Sequence, residues 1–190
     1  MKAQQRGILT AAGQLQDLPY ENEFSTFVFL QPAEAGSAFA RGDADAWAIW
    51  DPYTAIAQTT SETRTLASAA GAGNGFWFSL ASHDALGDSR RQTAIADPLV
   101  RLAEAGTWTA EHPQEWARFY GEAVGLTPEA AELSQGRSTR QPVALADTLA
   151  REQALADVFT EDGQIDPVEV AALADDRFAE DLAPVVGPLP

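Results

Sequence analysis

Gly42-Asp-Ala-Asp-Ala-Trp-Ala-Ile-Trp-Asp-Pro-Tyr53 reads as the end of one helix, a strand and the start of the next helix. Gly42 supplies a left-handed position just past a helix. Asp45 to Trp50 is an almost unbroken apolar run, the pattern of a strand covered on both faces in a parallel sheet. Asp51 has the chemistry of an N-cap, and Pro52 suits a first helical position, where no N–H is needed. In open α/β sheets ligands sit beyond the carboxyl ends of strands, where helix N-termini aim N–H groups at anions. The corner Trp50-Asp51-Pro52-Tyr53 is therefore the first candidate for a ligand wall.

Outward from this stretch the rhythm is α-β-α-β, the grammar of a parallel α/β sheet. Ala3 to Leu15 reads as a short helix, Glu21 to Leu30 as a strand, and Pro32 opens a helix to Arg41. Downstream, Pro52 to about Ser61 is a helix, and Thr63-Arg-Thr-Leu-Ala67 and Phe76-Trp-Phe-Ser-Leu-Ala-Ser82 are strands. From Ser89 the chain turns helical, with Ile95, Leu99, Leu102 and Gly106 on one face and Pro98 inside. Pro113 opens a helix carrying Trp116, Phe119, Tyr120 and Ala123 and ending at Gly125. Thr127 caps another, helix resumes beyond Pro142, and Asp166-Pro-Val-Glu169 has the form of one more helix start. Ala183 to Pro190 reads as an extended tail.

The central stretch also carries a resemblance. Ala38-Phe-Ala-Arg-Gly42 followed by Asp45-Ala-Trp-Ala-Ile-Trp-Asp-Pro-Tyr53 resembles the solute-binding proteins of aliphatic-sulfonate ABC transporters, which belong with the taurine- and nitrate-binding proteins. Gly7 to Leu15, Leu18-Pro-Tyr20 and Glu23 to Phe27 are similar to the first helix and second strand of that family's N-terminal lobe. Arg137 to Val143 and Asp157-Val-Phe159 with Ile165-Asp166 are similar to its C-terminal half. The resemblance implies an α/β fold of the type II periplasmic-binding kind, with one lobe largely retained and most of the other missing. It divides the chain into 1–28, a remnant of the N-terminal lobe; 29–88, the α/β lobe with the corner; and 89–190, a helical region packed on it. The junction near Phe27 to Leu30 marks an internally shortened member, the alternative being a natural single-lobe domain.

Composition agrees with a soluble domain: 190 residues, 45% hydrophobic and 21% charged, with no cysteine. A formal net charge of −16 argues against nucleic acid and anionic membranes as partners. Residues 141–190 hold eleven acidic side chains against Arg151 and Arg177, an acidic helix surface. No run is long and apolar enough to span a bilayer, and Met1-Lys-Ala-Gln-Gln-Arg6 does not open a signal peptide. A periplasmic or cell-surface location follows only from the resemblance.

No catalytic constellation emerges, so no enzyme activity, metal or cofactor is expected. His83 and His112 stand in no metal or triad spacing, and Ser79 and Ser82 lie outside a nucleophile elbow. The glycines at 71, 73 and 75 lack the Lys-Ser/Thr ending of a phosphate loop. An alkanesulfonate needs aromatic or apolar surface for its tail and hydrogen-bond donors for its oxygens, and a helix N-terminus supplies donors. The candidate ligand-binding residues are Trp50, Asp51, Tyr53, Thr54 and Trp77, while Trp47, Trp108 and Trp116 read as packing. Asp51 is tolerable beside an anion only if its carboxylate turns onto its own helix's N–H groups. The resemblance implies a small organic anion as ligand and a transporter permease as partner, with taurine, nitrate or a thiamine precursor as other ligands. The related pyrimidine-forming enzymes of thiamine synthesis need a cysteine motif that this chain lacks. A further reading is a non-binding remnant that associates with itself through the face the missing lobe would cover.

Overall fold

Proline and glycine punctuation places the helices. A computed structural model describes residues 28–69, 73 and 75–189. Pro32 begins α1 (Pro32–Ala40), with Glu34 in the first turn complementing the helix dipole. Gly42 ends it at φ 76°. Its N–H bonds Phe39 O at 3.0 Å and that of Asp43 bonds Ala38 O at 2.9 Å, the Schellman arrangement that satisfies the last carbonyls. Next come α2 (Tyr53–Thr60), α3 (His83–Leu86) and the long α4 (Ser89–Glu111). The Asp88 carboxylate caps α4 by accepting from the N–H groups of Arg90 and Arg91 at 2.8 and 3.3 Å. Pro98 sits within that helix without ending it.

After α4, His112 stacks on Trp108 with ring centroids 4.8 Å apart. Pro113 opens α5 (Pro113–Val124), which Gly125 terminates in the left-handed region at φ 75°. Thr127 caps α6 (Pro128–Gln135) by accepting from Ala130 N–H at 3.3 Å. Then follow α7 (Leu145–Glu161), a 3-10 turn (Val170–Leu173) and α8 (Ala179–Leu182).

The buried interior is made of small residues. Ala117 and Gly121 of α5 meet Ala130, Ala131 and Ser134 of α6, and Ala55 is fully buried in α2, which packs on α6. A Cβ added at Gly121 would stand 2.8 Å from Ala131 Cβ, so the α5–α6 approach depends on the missing side chain. Gly106 has the same role in α4, where an added Cβ would meet Arg140 O at 2.6 Å. The faces read from sequence are therefore shifted. Leu102 is 63% exposed while the adjacent Ala103 is buried. The helices close over small residues, and the large side chains border the contact.

The expected α/β class is corrected: among the described residues the structure is helical and has no sheet. Asp45 to Trp50, Thr63 to Ala67 and Phe76 to Ser82 form neither helix nor a strand of a sheet among the described residues. The β-pairing present is an isolated parallel bridge between Val143 and Gly187. A strand is completed by a neighbour about 4.8 Å away that takes its N–H and C=O groups, and among the described residues no such ladder forms. The alternation itself is real. Trp47 and Ile49 are half-buried while Ala46, Ala48 and Trp50 are exposed, so the segment is covered on one face and not two.

Other expectations shift less. α2 starts at Tyr53, after a cis Asp51–Pro52 bond, rather than at Pro52. Asp166-Pro-Val-Glu169 leads into a 3-10 turn instead of an α-helix, with Gln153 of α7 holding that segment through Val168 O at 3.0 Å and Val170 N–H at 2.8 Å. The reading for Ala3 to Leu15 and residues 21–27 of the Glu21 to Leu30 strand lie outside the described residues, and residues 28–30 join no sheet among the described residues.

Near the C-terminus the Asp175 carboxylate accepts from Arg177 Nε and Nη2 at 2.7 Å each and from the Arg177 backbone N–H at 3.1 Å. Arg177 Nη1 donates in turn to Leu86 O at the end of α3. These bonds from the Arg177 side chain, then from its backbone, hold the Asp175 carboxyl below its ordinary value of 3.8. A depressed folded value means that the contribution is present above the unfolded value and is lost as pH falls through the folded one. Carboxyl-carbon NMR is expected to give Asp175 a midpoint below 3.8 that returns to the ordinary range in Arg177→Gln. An Asp175 midpoint that does not move in Arg177→Gln would contradict the clamp.

Candidate anion-binding corner at Trp50

The corner forms because residues 45–50 lead through a turn at Asp51 and Pro52 into α2. Trp47 packs between Phe39 at 6.0 Å and Tyr53 at 6.4 Å between ring centroids. Its ring also lies over Gly36, where an added Cβ would come within 3.0 Å of it. Trp50 meets Tyr53 edge to face, 6.4 Å between centroids and 82° between planes. With Trp47 holding Tyr53 from one side, Trp50 is left 40% exposed at the outer rim. Aromatic surface and a free edge are thus available at one place.

The polar groups are arranged differently from expectation. Asp51 Oδ1 accepts from Ala55 N–H at 3.1 Å, so the carboxylate does turn onto its own helix. Thr54 N–H is taken by Trp50 O at 3.3 Å and Ile56 N–H by Pro52 O at 2.9 Å. Thr54 Oγ1 donates to Ile49 O at 3.1 Å. Most donors of the first turn are thereby engaged, and α2 alone offers an anion little beyond the Tyr53 N–H and phenol.

The positive charge comes from another helix end. Arg137, just past α6, pairs with Asp51 at 3.4 Å, where the two side chains are 38% and 28% exposed. Its Nε donates to Leu133 O at 3.1 Å and its Nη2 to Gln58 Oε1 at 2.8 Å. Gln58 Nε2 continues the chain to Thr65 Oγ1 at 3.0 Å. Nη1 of Arg137 donates to nothing among the described residues, which leaves guanidinium capacity for an oxyanion.

Trp50, Asp51, Tyr53 and Thr54 are thus brought together, with Arg137 beside them. Trp77 is not part of this grouping; it is 96% exposed on the 75–82 segment. Arg137 had no role in the sequence reading. The one cue was its place in the Arg137 to Val143 stretch.

Other polar candidates are structural. Ser82 caps α3 by accepting from Ala85 N–H at 3.3 Å, and Asp43 pairs with Arg41 at 2.8 Å. Among the described residues no group of three or more His, Cys, Asp or Glu could hold a metal, and no helix is long and apolar enough to cross a membrane.

No family model matches the chain, and no solved structure matches it. A protein of Escherichia coli (strain K12) named "Putative aliphatic sulfonates-binding protein" is 31% identical over 136 residues, 70% of this chain and 42% of that protein. A Bacillus subtilis (strain 168) protein of the same name is 31% identical over 112 residues, 56% of this chain and 32% of that protein. The chain spans less than half the length of the curated relatives it matches, and what it is similar to is part of two sulfonates-binding proteins.

Proposed function

We propose that this chain is a solute-binding component of an ABC transporter for aliphatic sulfonates, an internally shortened one, binding a small organic anion without catalysis or cofactor. The observation that carries this reading is the likeness to the two sulfonates-binding proteins. The corner supports it: Trp50 and Tyr53 offer aromatic surface to an alkyl tail, and the Arg137 guanidinium faces the sulfonate. Asp51 positions Arg137 and keeps its own charge on Ala55 N–H, while Thr54 ties the corner to Ile49. A permease partner and a periplasmic or cell-surface location go with the reading. The aromatic wall favours an organic sulfonate over nitrate.

Isothermal titration with methane-, butane- and hexanesulfonate tests it, with taurine, nitrate and sulfate as comparisons. Affinity is expected to rise with tail length, and Trp50→Ala to weaken butanesulfonate about tenfold, the worth of one aromatic contact of about 1.4 kcal/mol. Equal heats from sulfate and butanesulfonate would sink the reading.

Self-association is favoured by a separate observation: Trp77 and Leu80 are 96% and 93% exposed. Light scattering that shows a clean monomer at high concentration would remove that second reading.

A further inference from the structure

A cleft of about 210 Å³ lies where the end of α4, the start of α5, the end of α6 and residues 136–140 meet. Its walls include Trp116, Gln135, Ser138, Thr139 and Arg140. Gln135 Oε1 accepts from Trp116 Nε1 at 2.8 Å and from Arg140 Nη2 at 2.9 Å, so one amide oxygen fixes both groups. The Arg140 guanidinium lies over the Trp116 ring, 5.0 Å from its centroid. Its Nε is buried and has no hydrogen-bond partner. No carboxylate pairs with Arg140 among the described residues. A permanently charged group that is half-buried with no counter-ion and an unsatisfied donor is costly, and an anion beside it would offset that cost.

We propose that this cleft is a second anion site, distinct from the Trp50 corner, taking a singly charged organic oxyanion with a short apolar tail. Arg140 Nη1, which makes no hydrogen bond among the described residues, supplies a charge-assisted donor, and the Ser138 and Thr139 hydroxyls, which bond nothing else among the described residues, complete the polar wall. Ala110 and Pro113 give the tail an apolar surface. Carboxylate and sulfonate share this chemistry. A net charge of −16 selects against multiply charged anions. The cleft is smaller than drug-sized pockets, which suits a ligand of a few carbons. Gly106 seats the loop: its missing side chain lets Arg140 O rest on α4. Arg137 and Arg140 leave the same loop for different elements, one to α2 and the other to Gln135 and Trp116, so the two sites are separable by mutation.

The test uses the indole N–H resonance of Trp116, assigned by its loss in Trp116→Phe. The 190-residue chain is titrated with sodium butyrate and sodium 1-butanesulfonate against sodium chloride at equal ionic strength. A saturable shift with at least one organic anion is expected, half-complete at a concentration of order 1 mM. It should persist in Arg137→Gln and weaken at least tenfold in Arg140→Gln. The double variant Ser138→Ala/Thr139→Ala leaves the Gln135–Trp116–Arg140 bonds in place and should weaken binding several-fold. That arm decides the question if Arg140→Gln does not fold. Response to butyrate alone or to butanesulfonate alone identifies the headgroup. The proposal is overturned by no saturable shift in the wild type, by a shift undiminished in the folded variants of the cleft, or by a shift lost in Arg137→Gln.

Discussion

Replacing Gly121 with leucine lowers the thermal midpoint by about 4–8 °C, a loss of about 2 kcal/mol for a chain of this length. The added Cβ would stand 2.8 Å from Ala131 Cβ, closer than side chains pack, and 3.8 Å from Leu126 O. Overpacking of this kind costs up to about 3 kcal/mol, and the better helix propensity of leucine returns about 0.7. The effect is large because α5 and α6 meet over Ala117, Ala130, Ala131 and Ser134, with no flexible side chain to yield. Gly87→Ala is the control. Its nearest contact would be an ordinary 3.4 Å to His83 O, and its midpoint should stay within about 1–2 °C. Thermal melts followed by circular dichroism measure both. A Gly121→Leu midpoint equal to that of the wild type would mean that α5 and α6 do not approach as described.

Arg137→Gln and Asp51→Asn should move anion affinity in opposite directions. Arg137→Gln removes the guanidinium and weakens butanesulfonate at least about tenfold. Its cost in stability is about 1 kcal/mol, small because the pair with Asp51 is more than a quarter exposed on both sides. Asp51→Asn retains an oxygen to accept from Ala55 N–H but removes a negative charge next to the ligand. Relief of about 1 kcal/mol of repulsion corresponds to about fivefold tighter binding. Titration calorimetry of the two variants reads both signs. Weakening by both would show that the hold of Asp51 on Arg137 outweighs the repulsion between its charge and the ligand.

Boundaries set by local chemistry were legible in the sequence. Pro32, Gly42, Pro113, Gly125 and Thr127 each stand at the helix end expected of them, because caps and left-handed turns are decided within a few residues. The sheet was not legible. Period-two alternation at Trp47 and Ile49 reports which side chains turn inward, and a segment outside any sheet among the described residues shows it equally well. Pairing depends on a second segment that alternation does not identify. The buried helix faces were misjudged for a related reason. Hydrophobic periodicity selects the largest apolar residues, whereas close helix approach selects the smallest, so Ala103 is buried and Leu102 is not. The aromatic part of the corner was readable from Trp50 to Tyr53. Its charge was not, because Arg137 reaches Gln58 across 79 residues of chain.

The most direct measurement is a thermal melt of the wild-type chain with and without 1-butanesulfonate, sodium sulfate serving as the ionic control. At about ten times its Kd a ligand of the folded state adds about 1.4 kcal/mol, which raises the midpoint by about 3–6 °C. That rise is expected with butanesulfonate, its absence with sulfate, and its loss in Arg137→Gln. A cooperative melt that butanesulfonate does not move would contradict anion binding at the Trp50 corner.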